Sequence, residues 1–404
     1  MLIKRKVFYE AKKYLDDKRI LLFIGARQTG KTVILRALKD DLAAQGEPTF
    51  FLNLEDPDYL TLLNEHPRNI FSLFPIDSSQ RTTVFIDEIQ YLDNPSNFLK
   101  YIFDEYADTI KLIVSGSSAF YIDQKFTDSL SGRKKIFPVR TLSFEELLSF
   151  RTSPALAAKP FAQLTLSEQK QSDDVLREYM RYGGYPAVVL APREERESLL
   201  RELVYSYAKK DVLETGVRDS ATFFKLFKIL ARQSGNLVNT MELANTLDVS
   251  KTAITNYLHI MQKSFHIALV TPFTSNVRKE ISKMPKVYFS DLGLLNFLNG
   301  TLSSDTLTAD NGALLENMTF RMLLDESHHE SDIHFWRTTD GNEVDFVIDA
   351  TPRVAYEVKT SPQKVSAHKY ELFRTRYPDI TFSLVSTRCG TAESALPCKD
   401  VREV

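Results

Sequence analysis

At 404 residues the chain is long enough for two or three domains, and 43% hydrophobic with 26% charged residues describes a soluble globular protein rather than a disordered one. A net charge of −2 excludes a globally basic nucleic-acid coat, so contact with DNA or RNA has to come from local patches. The two cysteines, Cys389 and Cys398, suggest neither a disulfide scaffold nor a zinc site, and with no h-region behind the N-terminus and no run near the roughly 20 apolar residues of a membrane span, a cytoplasmic protein is expected.

In chain order, the first informative element is the run Arg19–Ile24, apolar after its first residue, as in a parallel strand covered on both faces. It leads directly into Gly25-Ala-Arg-Gln-Thr-Gly30-Lys31-Thr32, a complete G-x-x-x-x-G-K-[ST], and the segment from Val33 to Asp41 then has the pattern of an amphipathic helix. This is the strand–loop–helix context of a phosphate-binding P-loop. Glycines let backbone N–H groups wrap phosphates, and the helix N-terminus adds its positive dipole end. The expected cradle is Gly25, Ala26, Arg27, Gln28, Thr29, Gly30, Lys31, Thr32 and Val33, with Lys31 on the β and γ phosphates of ATP and Thr32 on Mg2+.

A second buried strand, Thr82–Ile86, ends in Asp87-Glu88. Asp87 is expected to hold the magnesium through water, and Glu88 to polarise the attacking water, which predicts hydrolysis and not binding alone. A third strand, Lys111–Val114, ends in Ser115-Gly-Ser-Ser118 next to the phosphate edge. Ser115 is the expected sensor of the phosphate, against the plainer reading of a strand-to-loop turn. Leu130-Ser-Gly-Arg133 presents an arginine that reaches a phosphate in cis or across a subunit interface, or else is solvated beside Lys134 and Lys135. Asn53-Leu-Glu-Asp56 closes another strand near this edge, its acids serving as helix caps.

Residues 152–172, rich in Ala, Ser, Pro and Gln, break the pattern and are expected to form a flexible insertion near a helical lid. Tyr182-Gly-Gly-Tyr-Pro186 reads as a structural hinge between helices. From Asn239 the spacing is that of helix-turn-helix: Thr240–Leu247, a turn at Asp248-Val-Ser250, and Lys251–Lys263 with Ser250 as N-cap. Strands His266–Val270 and Lys286–Phe289 flank a loop with Arg278, Lys279 and Lys283, as in a wing. Lys251, Thr252, Thr255 and Asn256 are placed to face a DNA groove, double-stranded or branched; the competing reading is a winged helix used for protein packing.

Near the C-terminus, Glu343–Asp349 and Arg353–Lys359 alternate as a hairpin around Pro352. If 349 pairs with 353, then 345 pairs with 357, and Asp345, Glu357 and Lys359 share one face. Two carboxylates and a lysine suit a second Mg2+ or a Mn2+ with an activated water, and Glu316, on a helix that precedes the hairpin, supplies a further acid. The alternative is a half-exposed hairpin with cross-strand charge pairing. A helical stretch over 367–376 and a strand at Thr381–Val385 complete an alternating α/β core.

Taken together, Gly25-Ala-Arg-Gln-Thr-Gly-Lys-Thr, Phe85-Ile-Asp-Glu-Ile-Gln90, Ser115-Gly-Ser-Ser, Leu130-Ser-Gly-Arg133, Gly183-Gly-Tyr-Pro186, Tyr288-Phe-Ser-Asp291 and Glu357-Val-Lys359 resemble the prokaryotic AAA-type ATPases whose C-terminal domain of unknown function is similar to PD-(D/E)xK nucleases. The resemblance covers nearly the whole chain. It implies an α/β fold with a P-loop ATPase core at 1–150 built on a parallel sheet, a helical lid and linker at 151–235, a winged helix-turn-helix at 236–300 and a restriction-endonuclease-like domain at 301–404. It also implies a homo-oligomer, since many AAA proteins complete their sites between subunits. The proline of the nuclease motif is absent, because Val344 stands before Asp345.

Overall fold

The computed structural model describes residues 5–77, 79–116, 130–214, 219–274, 284–303, 311–326, 330–389 and 396–404, the side chains of 207–214 excepted. The chain divides into two compact units: residues 1–140 with 213–216 and 259–265, and the remainder.

The first unit carries five strands: β1 (Ile20–Ile24), β2 (Thr49–Asn53), β3 (Thr82–Asp87), β4 (Ile110–Gly116) and β5 (Lys134–Pro138). They form one parallel sheet in the order β2-β3-β4-β1-β5. Alternation along each strand builds two cores. Leu21, Phe23, Phe85 and Ile113 pack with Phe8, Leu35 and Leu38 on one face, while Leu22, Val84, Ile86 and Val114 pack with Leu99 and Ile102 on the other. All carboxyl ends of the strands lie on one edge, and this brings the loop after β1 beside the ends of β3 and β4.

At the opposite edge Lys111 is buried, 1% exposed, and its amine donates to the carbonyls of Tyr14 (2.9 Å), Asp17 and Arg19 (2.6 Å). Burial pushes this amine from its ordinary 10.5 down to about 7. Between these values the unfolded chain binds the proton that the fold releases, so stability rises with pH across the window. Relative to Lys111→Met, the wild type should therefore gain up to about 1.4 kcal/mol per pH unit between roughly pH 8 and 10 in denaturant titrations. A flat difference would show the amine to be unshifted.

In the second unit the stretch 152–172 is not the expected flexible insertion. Ser153 caps a short helix Pro154–Ala157, and Thr165 with Glu168 closes a capping box at the start of the helix Leu166–Tyr182. The Gly-Gly turn that follows is a packing device. A Cβ on Gly184 would lie 2.2 Å from the Leu142 carbonyl oxygen, and the Gly184 N–H donates to Asp291 at 2.8 Å. Asp291 also caps the helix Leu292–Asn299 through Leu294 N–H (3.1 Å), and Asn296 of that helix donates to the carbonyls of Met180 (2.7 Å) and Arg181 (3.0 Å). The two segments Gly183–Pro186 and Tyr288–Asp291 therefore lock onto each other.

Helices Thr240–Leu247 and Lys251–Lys263 stand where the spacing placed them, with Asp248 left-handed between them and Ser250 Oγ accepting from Ala253 N–H at 3.1 Å. Strands β6 (Ile267–Pro272) and β7 (Lys286–Phe289) pair antiparallel. The basic loop residues Arg278, Lys279 and Lys283 lie outside the described residues, as do Ser117 and Ser118. β8 (Ile333–Arg337), β9 (Glu343–Ile348), β10 (Val354–Val358), β11 (Thr381–Ser386) and β12 (Cys398–Asp400) complete a seven-stranded mixed sheet, β12-β11-β10-β9-β8-β6-β7. The expected segments 236–300 and 301–404 thus share one sheet, because β6 pairs parallel with β8 through Thr271↔His334. Cys389 and Cys398, which suggested no disulfide scaffold, form a disulfide with Cα atoms 5.6 Å apart, because β12 pairs parallel with β11 and sets Cys398 opposite Leu384. No helix among the described residues is long and apolar enough to cross a membrane.

Candidate functional site

The loop Gly25–Gly30 leaves β1 and enters the helix Lys31–Ala44. Gly25 is required by close approach, since a Cβ there would lie 2.0 Å from the Val139 carbonyl oxygen. Thr29, 1% exposed, donates its hydroxyl to the Ala26 carbonyl (2.9 Å), and Arg5 donates to the Thr29 carbonyl (2.9 Å) and to that of Arg140 (3.0 Å). The backbone is fixed from both sides. Lys31, 5% exposed, turns its ammonium into the loop, donating to the carbonyls of Gly25 (3.1 Å) and Ala26 (2.8 Å).

Asp87 at the end of β3 is 2% exposed and accepts a hydrogen bond from Thr32 Oγ1 at 2.6 Å and another from Ser115 Oγ. Ser115 Oγ in turn accepts from Glu88 N–H at 3.2 Å. The serine is fully buried and holds Asp87 in place. Glu88 takes the left-handed conformation, φ 59°, which a non-glycine residue adopts at a cost, and Gln90 donates its amide to the Glu88 carboxylate. The sheet order explains the convergence: β4 stands between β1 and β3, so the strand that carries Ser115 abuts both loops. A hydroxyl and a carboxylate at this edge form the all-oxygen donor pair that Mg2+ takes from a protein when phosphates supply other ligands.

Arg133 does not join this edge in its own chain. Its carbonyl accepts from Ile20 N–H at the start of β1, a strand's length of roughly 16 Å from the loop after Ile24, and its guanidinium pairs with Asp104 at 2.7 Å. β5 runs parallel to β1, so the residue that precedes β5 has to lie at the amino edge. Asp56 caps the helix Pro57–Glu65, as expected. Arg5 and Gln90 were not among the sequence candidates, because nothing in the local pattern marks a residue that acts by reaching a loop carbonyl or a neighbouring carboxylate.

The C-terminal acids also converge. β9 and β10 pair as 348↔354, 347↔355 and 346↔356, the register expected from pairing 349 with 353. Glu357, 2% exposed, accepts from Lys359 at 2.6 Å and from the Tyr370 hydroxyl at 2.8 Å; Asp345 accepts from Val358 N–H at 2.8 Å. Burial, with Glu316 and Glu357 nearby, pushes the Asp345 carboxyl well above the usual carboxylate range. Glu316 arrives from the helix Gly312–Glu326. What the sequence did not show is Lys286 of β7, 2% exposed, with its ammonium 3.1 Å from Glu316, 2.5 Å from Glu343 and 3.8 Å from Asp345. Tyr288 adds a hydroxyl to Glu316 at 2.6 Å. The donor set therefore does not fit a second Mg2+ or Mn2+, because a protein cation already lies among these carboxylates, and no group of three or more acid, His or Cys ligands suited to a metal occurs among the described residues.

Residues 17–148 match the family model described as AAA domain. Residues 173–305 and 311–397 match two models described as domains of unknown function (DUF8612 and DUF4143). The chain is 25% identical to an uncharacterized protein of Haemophilus influenzae over 88% of its length and 86% of that protein, and 25% identical to an uncharacterized protein of Methanocaldococcus jannaschii over 88% of its length and 79% of that one. Among solved structures, the Thermotoga maritima RuvB Holliday junction branch migration motor aligns at 16% identity and a TM-score of 0.33, covering 69% of this chain and 94% of that one. A replication initiator DnaA bound to AMPPCP and single-stranded DNA aligns at 14% identity and a TM-score of 0.30, covering 64% and 86%.

Proposed function

With an AAA-type ATPase core over residues 17–148 as the premise, we propose that the chain is a Mg2+-dependent ATPase that couples turnover to binding nucleic acid. The observation that carries the ATPase reading is the buried Asp87, which accepts from Thr32 and Ser115 at the mouth of a complete phosphate loop. In this reading the backbone N–H groups of the loop and Lys31 hold the β and γ phosphates. Thr32 and Asp87 hold the cation, which supplies charge neutralisation on the transferring phosphoryl group. Glu88 orients the attacking water, with Gln90 fixing its carboxylate, and Ser115 acts through Asp87. Arg133 serves only a neighbouring subunit, if the protein assembles as a homo-oligomer.

The nucleic-acid half of the proposal rests on the helix Lys251–Lys263, where Lys251, Thr252, Thr255 and Asn256 are all exposed on one face. Single-stranded, double-stranded and branched DNA should each be added to a steady-state ATPase assay at low salt, where phosphate contacts are strongest. A several-fold rise in turnover with one of them, lost in Lys251→Ala/Asn256→Ala, is the expected result. Turnover indifferent to all three, without binding, would leave the second reading: an ATP-gated switch acting on a protein partner. The filled acidic cluster of the C-terminal fold favours that reading over nucleic-acid cleavage.

A further inference from the structure

We propose that Lys286 is a built-in cation that occupies the position a divalent metal would take among Glu316, Glu343 and Asp345, so that this acidic cluster is a metal-independent lock and not a nuclease centre. The inference concerns the second unit only and does not depend on the ATPase reading.

Charge supports it first. Four carboxyl groups meet here, Glu316, Glu343, Asp345 and Glu357. Four cations answer them: Lys286, Lys359 at 2.6 Å from Glu357, Lys369 at 3.7 Å from Glu357, and Arg337 at 3.3 Å from Glu343. The cluster is formally neutral without any ion. A divalent cation would add two uncompensated charges to a buried site, a large cost in a poorly solvated interior.

Coordination is the second support. Glu316 Oε1 is shared by Lys286 and Tyr288, Glu343 is shared by Lys286 and Arg337, and Asp345 Oδ2 accepts from Val358 N–H. Glu357 Oε1 is taken by Lys359 and Tyr370, and only Glu357 Oε2 is buried without a hydrogen-bond partner. Protein donors thus engage both oxygens of Glu343 and one oxygen each of Glu316, Asp345 and Glu357, which leaves few ligands for Mg2+ or Mn2+ in a site without phosphates. Lys286 itself has little freedom to withdraw. It is 2% exposed, sits in a strand paired with β6, and its ammonium lies 5.5 Å from the centroid of the Phe335 ring.

Topology gives the lock its meaning. Lys286 belongs to the β6–β7 hairpin, while its carboxylate partners lie on the helix Gly312–Glu326 and on β9. One ammonium ties three elements of the sheet and its covering helix together, which is the bond a metal would otherwise make.

The test uses the full-length protein without nucleotide and reads thermal stability as Mn2+ is added to millimolar concentration. Wild type and Asp345→Asn should respond alike, since any residual response comes from the phosphate-loop site. Lys286→Ala should acquire an additional Mn2+-dependent rise in Tm, and Lys286→Ala/Asp345→Asn should lack it. The isosteric Lys286→Met replaces the alanine variant if that variant fails to fold. A wild-type response that Asp345→Asn removes would overturn the proposal, and so would a lysine variant that folds but gains no Mn2+ response.

Discussion

In Glu88→Gln, ATP turnover should fall by about 100- to 1,000-fold while nucleotide binding persists, because the substitution keeps the size of the side chain and removes only the charge proposed to polarise water. The geometry makes this variant conservative. Gln90 already donates to the carboxylate from two residues away, and the left-handed backbone at Glu88 is set by the turn that follows β3 and by the N–H that Ser115 accepts. Lys31→Ala is the complementary change. Its ammonium is buried against the loop carbonyls of Gly25 and Ala26, so both binding and turnover should be lost, the latter again by about 100-fold or more. Measured together by fluorescent-nucleotide titration and phosphate release, the two variants separate binding from chemistry. Turnover by Lys31→Ala at the wild-type rate would remove the phosphate loop from the mechanism altogether.

Asp291→Ala should be the most damaging single change outside the phosphate loop, costing about 3 to 5 kcal/mol of stability in the second unit. The carboxylate is 2% exposed and satisfies Gly184 N–H and Leu294 N–H, so its removal leaves two buried donors unpaired and takes the cap from the helix Leu292–Asn299. Burial raises its pKa, which the two N–H donors oppose; the fold holds this acid for its acceptor oxygens. Tm should drop by roughly 10 °C, since for a domain of this size each kcal/mol corresponds to a few degrees. A loss under about 1 kcal/mol would mean that the Gly183–Pro186 turn and the segment ending in Asp291 hold together by apolar packing alone.

Much of the phosphate site was legible in the linear sequence because its parts obey local rules. A glycine loop between a buried strand and a helix, and an acid pair closing another buried strand, each have one dominant physical use. The β9–β10 register was legible for the same reason: period-two alternation and a short turn leave one pairing that puts Asp345 and Glu357 together, as the neighbouring pairs confirm. Which edge of the sheet Arg133 occupies was not legible, because its motif says nothing about where β5 starts. The Cys389–Cys398 disulfide was not legible because proximity set by the pairing of β11 with β12 is not a property of spacing or composition.

By itself, then, the sequence determined which loop and acid pair make up the candidate phosphate site and which strands carry the acids, because covalent neighbours and strand periodicity impose those placements. Only the tertiary structure decided that Arg5 and Gln90 steady the phosphate site, that β6 and β7 extend the C-terminal sheet, and that Lys286 lies among the acids where a metal was expected. Each of these joins residues distant in the chain or displaced from the motif. The charge that a buried carboxylate requires can come from any segment the fold brings within about 3 Å, and local pattern does not record which one does.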